Sequence, residues 1–350
     1  MIKLSLEHLQ VNQKLARNIY DQDGRLLLAR DILLEPRHIE QLLKKGFEEV
    51  YLWEETSAEE KTELDNRAAM RKAVLLPGIG TAVEAFREFM LSLSQGHAIT
   101  LNQVEDTVDL IYPEIIGSNN ILNQIKLLRQ KDEYTMKHSV SVSIIAVKLG
   151  EGMGLNNKSL RCLAKAALLH DIGKARIPMD LINKPAQLTS QEHKEMQQHP
   201  LHGFRIAQEM QLTENEVITA ILQHHEHFDG SGYPFKVLGH KLHIFSRIIA
   251  VADVFDALTS DRPYRKALPL FEALDEVVNR SLGHLDPFIT RRLISYVLNV
   301  IPGEMVKLSD GSIASVVLVN QNEPQRPMIR VKDQFINLQE ERRLHVIDLA

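Results

Sequence analysis

The spacing of apolar and polar positions divides the chain into three textures. Over residues 1–53 the runs are short and mixed. NIYDQDGRLLLA sets two β-rich runs around Asp23-Gly24, a dipeptide that favours a hairpin turn. EPRHIEQLLKKGF then has helical spacing and stops at Gly46, a residue suited to a helix end, and EEVYLW follows as a short strand. Further on the period lengthens. Pro77-Gly78 marks a break, and residues 81–95 and 102–116 carry apolar positions three and four apart, as amphipathic helices do.

From 119 to 299 nearly every segment keeps the helical period. Val140, Ile144, Ile145, Val147 and Leu149 make one apolar face, and LRCLAKAALLH is a buried helix running into His170. TSQEHKEMQQHPLHGFRIAQEM opens at Thr189 with Glu192 three residues on, a capping box. NEVITAILQHHEH, HIFSRIIAVADVFDALTS, LPLFEALDEVVNRSLGHLDP and PFITRRLISYVL continue the series. Beyond Pro302-Gly303 the texture turns to strands. EMVKLSDGSIASVVLVN brackets Asp310-Gly311 as a hairpin, and MIRVKDQFINL and RRLHVIDL follow. The pattern predicts a mainly α protein: a small αβ module over 1–53, a helical connector over 54–118, a helical bundle over 119–300 and a β-rich extension over 301–350.

Composition narrows what this architecture can serve. A length of 350 residues exceeds what one core usually needs, which fits several domains. The formal net charge of −5 argues against a general nucleic-acid binder, which needs Lys and Arg to pair with phosphates. A small phosphorylated substrate needs only a local basic cluster and stays open. The single cysteine, Cys162, lies in RCLAKAALL and reads as a small buried hydrophobe. It rules out a disulfide framework or a thiolate zinc site within the chain. No window approaches the roughly 20 apolar residues of a membrane span, and MIKLSLEHLQ lacks a cleavage signal. The expectation is a cytoplasmic protein. Residues 54–76 are rich in charge and helix formers; they read as a solvated connecting helix, with a homodimer seam over 54–95 as the alternative.

Histidine is the residue that points to chemistry. The chain has 15, and His138, His170, His193, His199, His202, His224, His225 and His227 fall within ninety positions of one another. Several sit at the ends of apolar helices, where an imidazole without partners is costly. A metal ion satisfies several at once, with carboxylates offsetting its charge. His170-Asp171 is the sharpest feature. The pair follows a buried helix and precedes Gly173-Lys174, so one side chain could serve each of two metals, or Asp171 could bridge them. Asp253 sits inside the apolar run IIAVADVFDAL, where an unpaired carboxylate would be expensive.

LLHDIGKARIP, HHEHFDGSGYP and RIIAVADVFDALTSDRPYRKA, in that order and spacing, resemble the signature blocks of the HD-GYP domain, a branch of the HD phosphohydrolase superfamily. The resemblance covers roughly 119–300 and implies an HD-type helical bundle. It implies a bacterial cyclic di-GMP phosphodiesterase yielding linear pGpG, with onward hydrolysis to GMP left open. Another cyclic dinucleotide such as cyclic GMP-AMP, or a receptor without turnover, are the rival readings. Diguanylate cyclases are the implied signalling partners.

By residue, the resemblance implies that His138, His170, Asp171, His199, His224, His225 and Asp253 are metal ligands, with Asp171 bridging. Two divalent ions are expected, iron or manganese, with zinc also fitting this donor set. Between them a water would be activated for in-line attack on phosphorus. Some relatives hold a third ion with a Glu one turn before the first His; here Tyr134 of DEYTMKH stands there, a poor ligand for a hard cation, so two ions are expected. Lys174 matches a lysine that neutralises charge on the phosphoryl oxygens. Arg262 and Arg265 match positions that touch phosphate or guanine. Gly232 and Tyr233 of the Gly-Tyr-Pro loop are expected beside the substrate, Gly232 through close backbone approach and Tyr233 by shaping the loop. Glu226 is expected to orient a ligand imidazole, and His193, His202 and His227 to be surface or packing residues.

Overall fold

A computed structural model describes mainly residues 2–52 and 76–349, with short stretches left out of each, among them 21–25, 119–123, 129–133 and 262–264. The chain separates into two compact units, residues 1–73 and 74–350.

In the first unit, β1 (Ile2–Ser5) pairs antiparallel with β4 (Glu49–Leu52), Ile2 opposite Leu52. The short strands β2 (Ile19–Tyr20) and β3 (Leu26–Leu28) form a second antiparallel pair. The Asp23-Gly24 turn expected between them lies outside the described residues, as does most of the 54–76 connector. Helix α1 (Pro36–Lys44) ends just before Gly46, whose φ of +75° lets the chain reverse. Leu15, Leu34, Leu42, Val50 and Leu52 form its core. β1 was not among the predicted elements. Its alternation is four residues long and its partner is distant in sequence, so local pattern carries little of the signal.

The second unit begins with α2 (Pro77–Ser94), and Pro77 starts this helix instead of breaking it. Proline suits the first turn because the N–H it lacks would be unpaired there anyway. α3 (Leu101–Gly117) follows, opened by a Thr100–Gln103 capping box. Next come α4 (Tyr134–Gly152), α5 (Asn157–Leu169), a 3-10 turn (Ile172–Arg176), α6 (Ser190–Met196), α7 (His199–Glu209), α8 (Asn215–Gln223), α9 (Ile244–Thr259), α10 (Leu270–Arg280) and α11 (Pro287–Val300). The Thr189–Glu192 capping box at the start of α6 forms as the sequence predicts. Side-chain caps also open α5, where Asn156 accepts from the Ser159 N–H, and α11, where Asp286 accepts from Phe288 and Ile289.

The last strands are β5 (Met305–Leu308), β6 (Ile313–Leu318), β7 (Met328–Val331), β8 (Gln334–Asn337) and β9 (Val346–Leu349). They form one antiparallel sheet in the order β8-β7-β6-β5-β9. Val306, Leu308, Ala314, Val316 and Ile329 point inward and join the same core as Ile144, Leu168, Ile248 and Val297 of the helices. No helix among the described residues is long and apolar enough to cross a membrane.

Candidate metal centre

The site is built mostly from helix ends. His170 closes α5 and Asp171 follows it; His199 opens α7; His224 closes α8 and His225 follows it. His138 comes from within α4, Asp253 from within α9. The approach of these ends depends on Gly173. A Cβ there would lie 1.8 Å from the His199 carbonyl oxygen and 2.4 Å from the Gly203 nitrogen. Only glycine lets the 3-10 turn seat against the first turn of α7 and bring His199 to Asp171.

Asp171 is the hub. Its Oδ1 lies 3.3 Å from His199 Nε2 and 3.8 Å from His224 Nε2. Its Oδ2 lies 3.3 Å from His170 Nε2 and 3.7 Å from His138 Nε2. The two oxygens thus face two different sets of imidazoles. One set is Asp171, His199, His224 and His225; the other is His138, His170 and Asp171. Asp253 completes the second, its Oδ1 3.1 Å from His138 Nε2. Five of the other expected ligands thus cluster with Asp171, and Asp253 adjoins them through His138.

Hydrogen bonds fix which nitrogen each ring presents. Nδ1 of His170 donates to the Ala167 carbonyl at 2.7 Å, that of His199 to Met196 at 2.8 Å, and that of His224 to Ile221 at 2.9 Å. A carbonyl oxygen only accepts, so Nδ1 carries the proton and Nε2 keeps a lone pair. His199 Nε2 and His224 Nε2 then face each other 3.1 Å apart, two acceptors with no proton between them. His170 Nε2 and Asp171 Oδ1 are buried with no hydrogen-bond partner. Unsatisfied buried acceptors converging in this way are costly, and a cation relieves all of them. A shared cation with bonds of about 2.1 Å would bring two such nitrogens to roughly 3–3.4 Å of each other. The residues fit divalent metal.

Electrostatics agree. Burial pushes His224 well down, His199 to about 3 and His225 to about 4, so these rings are neutral near pH 7, as ligands must be. His138 differs. Burial alone would lower it, but hydrogen bonds with Asp253 and Asp256 raise it to about 9. Burial would raise Asp171, yet Lys174, His170 and His199 hold it well below the carboxylate range. Lys174 Nζ sits 2.5 Å from Asp171 Oδ2.

Asp256 was not legible as part of the site. It lies one turn beyond Asp253 on α9, is 1% exposed, and its Oδ2 accepts from His138 Nδ1 at 2.7 Å. The available signal was a second carboxylate in the apolar run VADVFDAL.

One expectation needs correction. Glu226 is buried, but its oxygens accept the N–H groups of Phe235 (2.6 Å) and Val237 (3.0 Å). It holds the Gly-Tyr-Pro loop in place, and its hydrogen-bond partners among the described residues are these backbone groups and not an imidazole. Gly232 lies against the chain itself, since a Cβ would meet the His227 nitrogen at 2.2 Å and the His225 oxygen at 2.5 Å. Its backbone lies close to the end of the segment that carries His224 and His225. Tyr233, next in that loop, stacks on His225 with ring centroids 4.9 Å apart. Burial, then Asp171 and Asp253, raise its hydroxyl, which stays neutral.

Arg265 donates to the Ala257 carbonyl of α9 at 2.5 Å, and Arg262 lies outside the described residues. Only the backbone of Tyr134 is described, at the start of α4, one turn before His138. The remaining histidines stand apart from both metal sets: His193 is exposed, His202 is half-buried on α7, and His227 stacks on His284 at 4.0 Å.

Residues 123–289 match the HD domain family. The cyclic di-GMP phosphodiesterase PA4108 of Pseudomonas aeruginosa is 33% identical over 264 residues, 75% of this chain and 63% of that protein. The 3'3'-cGAMP-specific phosphodiesterase 3 of Vibrio cholerae is 33% identical over 188 residues, 53% of this chain and 40% of that protein. Both matches span less than two thirds of the relative's length. Among solved structures, Bd1817, an HDG"Y"P protein from Bdellovibrio bacteriovorus, superposes with a TM-score of 0.52 at 17% identity, over 85% of this chain and 99% of that one. At that identity the likeness is one of fold.

Proposed function

We propose that the chain, whose residues 123–289 match the HD domain family, is an HD-GYP phosphodiesterase that hydrolyses a cyclic dinucleotide, cyclic di-GMP first among them. The observation that carries the proposal is Asp171, whose two oxygens face two separate sets of imidazole Nε2 atoms. One bridging carboxylate between two imidazole sets is the donor arrangement of a dinuclear site.

In this reading His138, His170, Asp171 and Asp253 hold one divalent ion, and Asp171, His199, His224 and His225 hold the other. Iron or manganese suits this mixture of imidazole and carboxylate, and zinc also fits. Such a pair supplies a water of near-neutral pKa and offsets charge on the phosphoryl oxygens. The carbonyls of Ala167, Met196 and Ile221 keep the rings in the tautomer that binds metal. Lys174, a quarter exposed beside Asp171, has the reach to swing toward a non-bridging phosphoryl oxygen and neutralise charge that grows in the transition state. Tyr233, fixed on His225, forms one wall and supplies a neutral hydroxyl. Arg262 and Arg265, which follow α9 in sequence, would supply guanidinium groups for a phosphate or a guanine edge. Diguanylate cyclases are the expected partners in the cytoplasm, since they supply the ring.

The Vibrio cholerae relative supports a second reading in which the ring is cyclic GMP-AMP. Metal-loaded protein offered each ring separately decides between them. Faster conversion of cyclic di-GMP to linear pGpG, and onward to GMP, supports the first reading; faster opening of cyclic GMP-AMP supports the second. No turnover of either ring by protein holding two ions contradicts both.

A further inference from the structure

We propose that the two metal positions are unequal, and that Asp256 is the positioning residue that makes them so. The inference rests on the dinuclear reading above. It starts from a difference in how the imidazoles are anchored. His170, His199 and His224 each give their Nδ1 proton to a neutral backbone carbonyl. His138 gives its proton to a carboxylate at 2.7 Å, and that carboxylate is 1% exposed. A carboxylate draws on the Nδ1 proton far more strongly than a carbonyl, especially away from water. It thereby makes Nε2 the better donor and fixes the ring more rigidly.

The direct ligands add to this asymmetry. Asp253 Oδ1 faces the same His138 nitrogen at 3.1 Å, so the position built on α4 and α9 has two carboxylates, Asp171 and Asp253. The position built on α7 and α8 has three imidazoles and only the shared Asp171. Lys174 contacts Oδ2, the Asp171 oxygen that faces His138 and His170, so its single positive charge on that side is set against the two further carboxylates Asp253 and Asp256. Asp253 and Asp256 are one helical turn apart on α9, so a single helix face delivers both the ligand and the group that tunes its neighbour. Asp256 is itself held by Ser260, whose hydroxyl lies 3.4 Å from Oδ1. The position containing His138 therefore binds its ion more tightly, fills first, and owes part of that affinity to a residue that never touches the metal.

The test is a titration of metal-free full-length protein with Mn2+ alone, followed by equilibrium dialysis and elemental analysis. Wild-type protein should fill in two separate steps. His225→Ala should remove the weaker step and leave the tighter one. Asp256→Asn keeps the side-chain shape and an acceptor while removing the charge. It should move the tighter step to about 10–100-fold higher free Mn2+ and leave the weaker step in place. A merely structural role would shift both steps together, and that outcome overturns the proposal. So does a wild-type titration in which both ions bind in one step of equal affinity, which is decisive even if Asp256→Asn does not fold. Wild-type protein that binds no Mn2+ overturns the dinuclear reading itself, a result distinct from unchanged steps in Asp256→Asn.

Discussion

His170, His199 and His224 owe their readiness for metal to one local device, a bond from Nδ1 to the carbonyl three residues earlier. The device is cheap because each ring sits at a helix end, where main-chain carbonyls turn toward the side chain. That seven candidate ligands would lie near one another was legible because their motifs fix both type and spacing. Their tautomers were not, because those depend on carbonyls that carry no sequence signal. Glu226 was misread for a related reason: its partners are two N–H groups supplied by the curvature of the following loop, which carries no sequence signal. Lys174 provides the residue-scale prediction. It touches Asp171 but is about a quarter exposed, so it can leave for a substrate without unmaking the cluster. Lys174→Gln should lower kcat by about 10²-fold while leaving both ions bound, as steady-state kinetics paired with elemental analysis would record. A loss of metal alongside activity would instead make Lys174 part of the support of Asp171.

The elements meet where side chains are missing as well as where they are present. Gly173 permits the 3-10 turn to lie on α7, and no hydrophobic pattern announces that contact. Helix positions were legible from period and caps, as the Thr189 box shows, but Pro77 was read as a break because proline signals a boundary without saying on which side the helix lies. Packing of α3, α5 and the start of α8 is held by Lys165, 5% exposed, which pairs with Glu105 and Glu214. Lys165→Met removes the cation and leaves both carboxylates unpartnered. Since Glu105 and Glu214 are about a third exposed on their side chains, the cost should be about 1–3 kcal/mol, below that of a wholly buried pair. The pH dependence has a definite sign. Burial opposes ionisation of Glu214, but Lys165 holds it below its ordinary value of 4.5. Its contribution is present above that value and is lost as pH falls through the lowered one. Thermal melts should show the wild-type advantage over Lys165→Met at neutral pH shrinking in acid below about pH 4.5. An advantage that grows in acid would contradict the pairing.

Across the whole molecule the order of textures was legible, αβ then α then β, but not the grouping into cores. The switch to strands near Pro302 marks a change of element, whereas the sheet's Val306, Ala314 and Val316 share the core of the helices, and residues 74–350 form one unit. Alternation in a strand shows which face is buried without showing what covers it. Metal binding should reach through this shared core. Ions that bind the folded state alone stabilise it by about 2.7 kcal/mol at a hundredfold excess over Kd. Calorimetry after chelation should find the transition of this unit lower by roughly 5 °C, restored by adding Mn2+. An unmoved transition would mean that the histidine cluster is not a metal site.

The central claim is that Asp171 organises two ions for hydrolysis of a cyclic dinucleotide. Its most direct test is turnover of cyclic di-GMP by protein of known metal content, with products followed by chromatography. The account predicts linear pGpG at a rate that rises with occupancy, and neither bound metal nor product with Asp171→Ala. Full activity in Asp171→Ala, or wild-type protein that holds two ions and opens no cyclic dinucleotide, would contradict it.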